Sequence, residues 1–240
     1  MSDLYEGDFH AYRHRDTNYA AETILNIALE ALPGVNASVD VGCGVGTWLS
    51  SIQSKGAQTI LGLDGPWVTE DLLEIPADSF TVWDLNEKIN IETRFDLAMS
   101  FEVAEHLSPS SASHIVASLT NFADFIIFSA ATPYQGGVGH VNEQWPDYWI
   151  KLFEQQGFVA LDLIRRRIWQ DTKIPVHYRK NILVYVRKER LKDLNLAADI
   201  EMYTPPEQYL LYYKKLVEPG IKQSINALTN AIKVRLGAAE

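Results

Sequence analysis

The sequence predicts an α/β fold: a doubly wound, mostly parallel seven-stranded sheet with helices on both faces and a helical appendage after it. Three observations carry that expectation. Short β-branched or apolar runs alternate with stretches of helical spacing between residues 36 and 188, and the glycine-rich turn in "VDVGCGVGTWL" (39–49) joins the first run to a helix. From Glu189 onward the pattern is amphipathic helix, broken at Pro205-Pro206 and Pro219-Gly220. The expected organisation is therefore an N-terminal helix or lid (1–35), a main α/β domain (36–188) and a helical tail (189–240).

The elements follow in order. In "TNYAAETILNIALEAL", Ala21, Ile24, Leu25, Ala28 and Leu32 recur at helical spacing, Thr17 or Asn18 suits the cap, and Pro33-Gly34 ends the segment. "SVDVG" reads as the first strand and "TWLSSIQSKG" as a helix closed by Gly56. "QTILGLDG", "SFTVWDL" and "RFDLAMSF" read as the next strands, with "VTEDLLEI" a short helix after the first of them. "SPSSASHIVASLTNF" opens with residues suited to a helix start, and "ADFIIFSAA" suits a strand buried on both faces. Residues 131–145, "ATPYQGGVGHVNEQW", are too rich in turn formers for an element; a loop of that length usually serves function. A helix "PDYWIKLFEQQG" then leads to two late strands, "FVALDLIRRRIW" and "NILVYVRK". These are expected to form an edge hairpin around the loop "QDTKIPVHYRK", one strand antiparallel to the rest.

Composition narrows the partners. The 240 residues carry 31 acidic and 21 basic side chains, a net charge of −10, so a long polyanion meets an unfavourable field and nucleic acid is a poor default partner. The single cysteine, Cys43, cannot form an intramolecular disulfide and reads as a small buried filler. The polar start has no secretory-type apolar core, and no run approaches the roughly 20 apolar residues that span a bilayer. A cytoplasmic protein without a membrane span is expected, and the tail offers a surface for a homo-oligomer or partner contact.

The glycine turn is the first chemical signal. Gly42, Gly44 and Gly46 let the backbone approach a ligand at the carboxyl end of the first strand. The spacing is not that of a dinucleotide fingerprint, and Asp40, two residues before the first glycine, would repel a pyrophosphate. No lysine follows as a phosphate loop requires. A ligand carrying a sulfonium and an ammonium is instead attracted by that acid. On these residues the segment resembles the first motif of the class I S-adenosylmethionine-dependent methyltransferases, whose fold is Rossmann-like. The resemblance extends over roughly residues 36–186. It implies that Asp64, at the end of "LGLDG", binds the donor's ribose hydroxyls and that Asp84-Leu85 holds its adenine. "RFDLAMSFEVAEHL" (94–107) resembles the fourth motif, lining the methyl-transfer site and adding Ser100 to the cofactor-binding set.

The second signal is "FEVAEHL". Glu102, Glu105 and His106 stand at i, i+3 and i+4, so a helical turn after the strand would project all three from one face. The long loop supplies His140, with Glu143 close by. Together Glu102, Glu105, His106 and His140 resemble the metal site of the small-RNA 3′-end 2′-O-methyltransferases, implying Mg²⁺ or Mn²⁺ held against a sugar diol; similar segments occur in quinone-pathway O-methyltransferases. Many class I methyltransferases carry such a segment without a metal. Then His140 or His106 would serve as general base and Glu102 would contact the donor. His10, His14, His114 and His177 read as surface or helix residues. Trp145, Tyr148 and Trp149 read first as core rings and second as sugar-stacking faces. Arg165, Arg166 and Arg167, on an expected strand, would alternate between its two sides.

These readings converge on a methyltransferase using S-adenosylmethionine, acting on a sugar hydroxyl of a small molecule or glycan. The alternatives left open are an RNA 3′-end ribose or a quinone-type acceptor, and a domain that binds the donor without turnover.

Overall fold

The computed structural model describes the backbone of residues 7–195 and the side chains of residues 17–195. Residues 1–6 of the expected lid and 196–240 of the expected tail, with its proposed partner contact, lie outside the described residues.

One sheet has the order β3-β2-β1-β4-β5-β7-β6. Its strands are β1 (Ala37–Val41), β2 (Thr59–Asp64), β3 (Phe80–Val82), β4 (Leu97–Phe101), β5 (Phe125–Ser129), β6 (Phe158–Leu161) and β7 (Leu183–Arg187). β7 is antiparallel to both neighbours, and the other paired strands run parallel, as the expected edge hairpin required. The chain runs outward from β1 through β2 to β3, then returns to place β4 on the other side of β1. That reversal opens a crevice at the carboxyl ends of β1 and β4, where ligands of such sheets bind.

Helices cover both faces. Against one face, α1 (Gly7–Ala31) and α2 (Thr47–Ser54) pack Ala21, Ile24, Leu25, Ala28, Leu49 and Ile52 with Leu97, Met99, Ile127 and Val184 of the strands. Each such Leu or Ile withdrawn from water contributes ~1.5–3 kcal/mol. On the other face, α3 (Ala112–Phe122) and α4 (Pro146–Gln155) cover the alternate residues: Phe153 of α4 stacks on Tyr185 at 3.9 Å and meets Phe128 edge-on. Trp149, one of the rings allowed a sugar-stacking role, is 2% exposed against Phe128 and belongs to this core. Trp48 of α2 stacks on Phe101 at 3.7 Å and meets Tyr178 at 5.3 Å, tying helix, strand and the segment before β7 together.

Three local expectations are corrected. "VTEDLLEI" forms only a 3-10 turn, Glu70–Leu72. It is bracketed by Pro66 and Pro76, too short to nucleate a helix, and the Glu74 amide is drawn to the carbonyl of Val45 at 2.8 Å. The strand begun at Phe158 stops at Leu161, and Arg165–Ile168 is a helical turn, α5. The cause is local: Arg165 pairs with Asp162 three residues back, while Ile164 and Ile168 are buried one turn apart. The three arginines therefore do not alternate across a strand; Arg167 instead pairs with Glu30 of α1. The expected loop "QDTKIPVHYRK" contains a helix, α6 (Val176–Asn181), begun at Pro175. Among the described residues, no helix is long and apolar enough to cross a membrane.

Candidate active site

The glycine turn leaves β1 in a backbone conformation that suits its three glycines, with Gly42, Gly44 and Gly46 all at positive φ (84°, 52° and 92°). At Gly42 crowding is decisive as well, since a Cβ there would lie 2.2 Å from Val103. The turn is tied to β2: the Gly42 amide donates to the Leu63 carbonyl (2.7 Å) and the Gly44 amide to Asp64 Oδ2 (2.7 Å). Cys43 is buried in this turn, where burial pushes its thiol up. That is the inert filler role expected.

Two buried carboxylates flank the turn, Asp40 in β1 and Asp64 at the end of β2. Asp40 is 1% exposed, and neither of its oxygens meets a hydrogen-bond donor among the described residues. Burial, reinforced by the charge of Asp64, pushes its carboxyl up to about 8. Asp64 is also raised by burial, partly offset by the amides of Gly44 and Gly65, whose N–H groups donate to its two oxygens at 2.7 and 2.6 Å. Such a pair is stabilised by an incoming cation and destabilised by an anion.

A pH dependence follows. In the folded protein Asp40 holds its proton between about pH 4 and 8, where the unfolded chain has already released it, so ligand-free stability is lost as pH rises through that window. The slope approaches ~1.4 kcal/mol per pH unit for this one group. Urea titrations at pH 5, 6.5 and 8 should show that loss in the natural chain. They should show it reduced by that slope in Asp40→Asn, whose neutral amide has no proton to release.

Of the remaining positions expected on the donor side, one is exposed and two are buried. Asp84 is exposed just past β3 and accepts from the Asn86 amide at 3.0 Å, while Leu85 is buried. Ser100 is fully buried and donates to the Val41 carbonyl at 2.8 Å, so its hydroxyl braces the ends of β1 and β4. Sequence reasoning missed Trp67: its ring covers Gly65, where a Cβ would meet it at 2.2 Å, and it is 70% exposed beside Asp64. An aromatic residue three positions after the acid was the signal available.

On the β4 side the expected quartet divides. Glu102 has φ 54°, and the single 3-10 turn begins only at Ala104, ending at His106. The assumed i, i+3, i+4 face therefore does not form. Glu102 is not among the clustered ligands; its carboxylate accepts instead from Gln135 Nε2 (2.7 Å) and Asn181 Nδ2 (3.2 Å). Glu105, His106 and His140 do converge, each offering a ligand atom within 4.8 Å of the others.

Glu105 is fully buried, and among the described residues no side chain donates to either of its oxygens. Burial pushes it up to about 8, with the charges of Glu102 and Glu143 adding and the nearby amides of Glu105 and Ala131 partly offsetting the rise. Its backbone carbonyl anchors the long loop by accepting the amides of Val141 (2.8 Å) and Asn142 (3.0 Å).

Glu143 organises that loop. It accepts the amides of Tyr134 (2.8 Å) and Gly136 (3.1 Å) and shares a 2.8 Å hydrogen bond with His140 Nδ1. Burial raises this carboxyl, but those three hydrogen bonds outweigh it and hold the group below the usual range. His140 then stands edge-on to His106, ring centroids 4.8 Å apart. Nδ1 is engaged by the carboxylate, which directs chemistry to Nε2.

Comparison with known proteins agrees with this fold. The family model described as "Methyltransferase domain" matches residues 12–163, more than half of the chain. Among solved structures, the magnesium protoporphyrin IX methyltransferase of Synechocystis with bound SAH is similar at 20% identity and a TM-score of 0.51, over 73% of this chain and 86% of that one. A chain of the complex between the Haloferax volcanii Trm112 methyltransferase activator and a methyltransferase is similar at 15% identity and a TM-score of 0.53, over 75% and 96%. At such identities the likeness is one of fold. No curated protein matches the sequence.

Proposed function

Because the chain belongs to the methyltransferase-domain family and has the fold of the class I S-adenosylmethionine-dependent methyltransferases, we propose that it methylates a hydroxyl of a sugar, free or within a glycan or glycosylated metabolite. The donor side of this reading rests on Asp40 and Asp64. The ammonium and sulfonium of S-adenosylmethionine would favour the ionised form of these buried acids, and the glycine turn admits the ligand's close approach.

The acceptor side rests on one observation: Glu105, His106 and His140 cluster beyond the end of β4, next to the donor crevice. The set fits a divalent cation such as Mn²⁺ or Mg²⁺. Glu105 is a buried carboxylate to which no side chain donates among the described residues, and the contact between His140 Nδ1 and Glu143 is the arrangement that commonly orients a metal-binding histidine. A cation bound by these three side chains would make a sugar hydroxyl more acidic and orient it, and a vicinal diol is a natural chelator.

The transfer itself is a displacement. The hydroxyl oxygen forms a bond to the methyl carbon, the carbon–sulfur bond breaks with its pair passing to sulfur, and S-adenosylhomocysteine leaves. The hydroxyl proton needs an acceptor. Without an ion, Nε2 of His140 takes it, and Glu143 stabilises the imidazolium that forms.

The acceptor's surroundings support a sugar. Tyr134 is 69% exposed on the loop that carries His140 and is held at φ 70° by the hydrogen bond from its amide to Glu143. An exposed ring fixed in a strained conformation suits stacking on a sugar face. Tyr134→Ala should therefore raise KM for the sugar acceptor ~5–20-fold and leave kcat nearly unchanged, a split read from initial rates. A ribose at an RNA end offers the same diol, but a net charge of −10 opposes phosphate binding, and two of the three consecutive arginines are paired to acids.

The reading is tested by transfer of labelled methyl from S-adenosylmethionine to sugars, glycan fractions, quinone precursors and short RNAs, each with chelator or with added Mn²⁺ or Mg²⁺. Transfer to carbohydrate that stops with chelator and returns with metal is the expected result. Transfer confined to RNA or quinones would replace the acceptor class, and transfer indifferent to chelator would leave His140 as base.

A further inference from the structure

A closed ring of side-chain hydrogen bonds sits beside the cluster and outside its ligand set. Gln135 Nε2 donates to Glu102 Oε2 at 2.7 Å, Asn181 Nδ2 donates to Glu102 Oε1 at 3.2 Å, and Asn181 Nδ2 also donates to Gln135 Oε1 at 2.8 Å. Each residue comes from a different segment: Glu102 follows β4, Gln135 stands in the loop bearing His140, and Asn181 ends α6. Asn181 is 6% exposed, and α6 is anchored by Tyr178 against Trp48 and Phe101. The ring thus fastens the His140 loop to a packed part of the molecule. Glu102 sits at φ 54°, which a non-glycine residue keeps only when its surroundings hold it.

We infer that Asn181, Gln135 and Glu102 are positioning residues that set the His140 loop against Glu105 and His106, so that opening the ring disperses the acceptor-side cluster without loosening the donor. The inference rests on the acceptor site proposed above. The donor-side acids Asp40 and Asp64 share no hydrogen bond with the ring; of the loop's other fastenings, the Glu105 carbonyl holds Val141 and Asn142, and Glu143 acts from within the loop itself.

The ring has a property that a merely space-filling contact lacks: its polarity can be reversed. Exchanging acid and amide in the pair, with Gln at 102 and Asp at 181, restores every donor–acceptor match once the Gln135 amide turns over. Asn181→Asp alone sets two carboxylates face to face and opens the ring. Gln135→Met, which adds no charge, opens two of its three sides.

Hydrogen exchange on the full chain reads the outcome without any substrate. In Asn181→Asp and in Gln135→Met, the bonded amides of Tyr134, Gly136, Val141 and Asn142 should exchange about tenfold faster or more. In the double exchange Glu102→Gln with Asn181→Asp they should return to about twofold of the natural rate. Affinity for S-adenosylhomocysteine should stay within about twofold throughout, and affinity for Mn²⁺ alone should fall about tenfold in the opened variants and recover in the double exchange. Unchanged exchange in both opened variants, or no recovery in the double exchange, overturns the inference. A natural chain that ignores Mn²⁺ removes the metal reading, and the exchange pattern still decides the ring.

Discussion

Asp64→Ala is expected to weaken binding of S-adenosylmethionine and S-adenosylhomocysteine by about 10²–10³-fold on the ribose-binding role we propose for it, since two charge-assisted hydrogen bonds to a ribose diol would contribute ~1.5–3 kcal/mol each and part of that is recovered by solvent. The position supports the size of the effect. Asp64 closes β2 next to the glycine turn, is 6% exposed, and already orients both oxygens through the amides of Gly44 and Gly65. Removing the carboxylate also leaves those two amides without their acceptor, so a fall in Tm should accompany the loss of affinity. Asp64→Asn separates the two effects. It keeps an acceptor for one amide and preserves volume, so it should recover most of the Tm while binding stays at least tenfold weak. Calorimetric titration with S-adenosylhomocysteine checks both, and affinity within threefold of the natural chain in Asp64→Ala would reject the ribose role.

Glu105→Gln is expected to lower turnover by about 10³-fold or more and to leave donor affinity within about twofold. This carboxylate is fully buried in the Glu105–His106–His140 cluster, and among the described residues no side chain donates to it, so its burial is only partly offset by the nearby amides of Glu105 and Ala131. Glutamine has the same volume, so the fold should survive, with Tm changed by only a few degrees. The same separation is expected of His140→Ala, in which Glu143 loses its ring partner but keeps the amides of Tyr134 and Gly136. Retained methyl transfer in Glu105→Gln would remove this carboxylate from the reaction, and retained transfer in His140→Ala would do so for the imidazole.

The two sides of the site were not equally legible. Asp40, Gly42, Gly44, Gly46 and Asp64 lie within one strand–turn–helix–strand unit, so spacing alone brings them together, and the structure places all five around one turn. Glu102 was assigned by assuming that helical spacing begins immediately after β4. Its left-handed backbone turns the carboxylate toward Gln135 and Asn181 before the 3-10 turn starts. Nothing near Asn181 in the chain announces its role. It lies 79 residues from Glu102 and 46 from Gln135, and it reaches them only because β7 inserts beside β5 and carries the end of α6 to the carboxyl edge of the sheet.

The sequence by itself determined the order of the seven strands and the glycine turn with its flanking acids Asp40 and Asp64, because those depend on periodicity and on contacts close in the chain. Tertiary structure alone decided which acids and histidines share the acceptor side. That choice depends on where a left-handed residue, a loop held by Glu143 and the antiparallel strand β7 bring distant side chains within a few ångströms of one another.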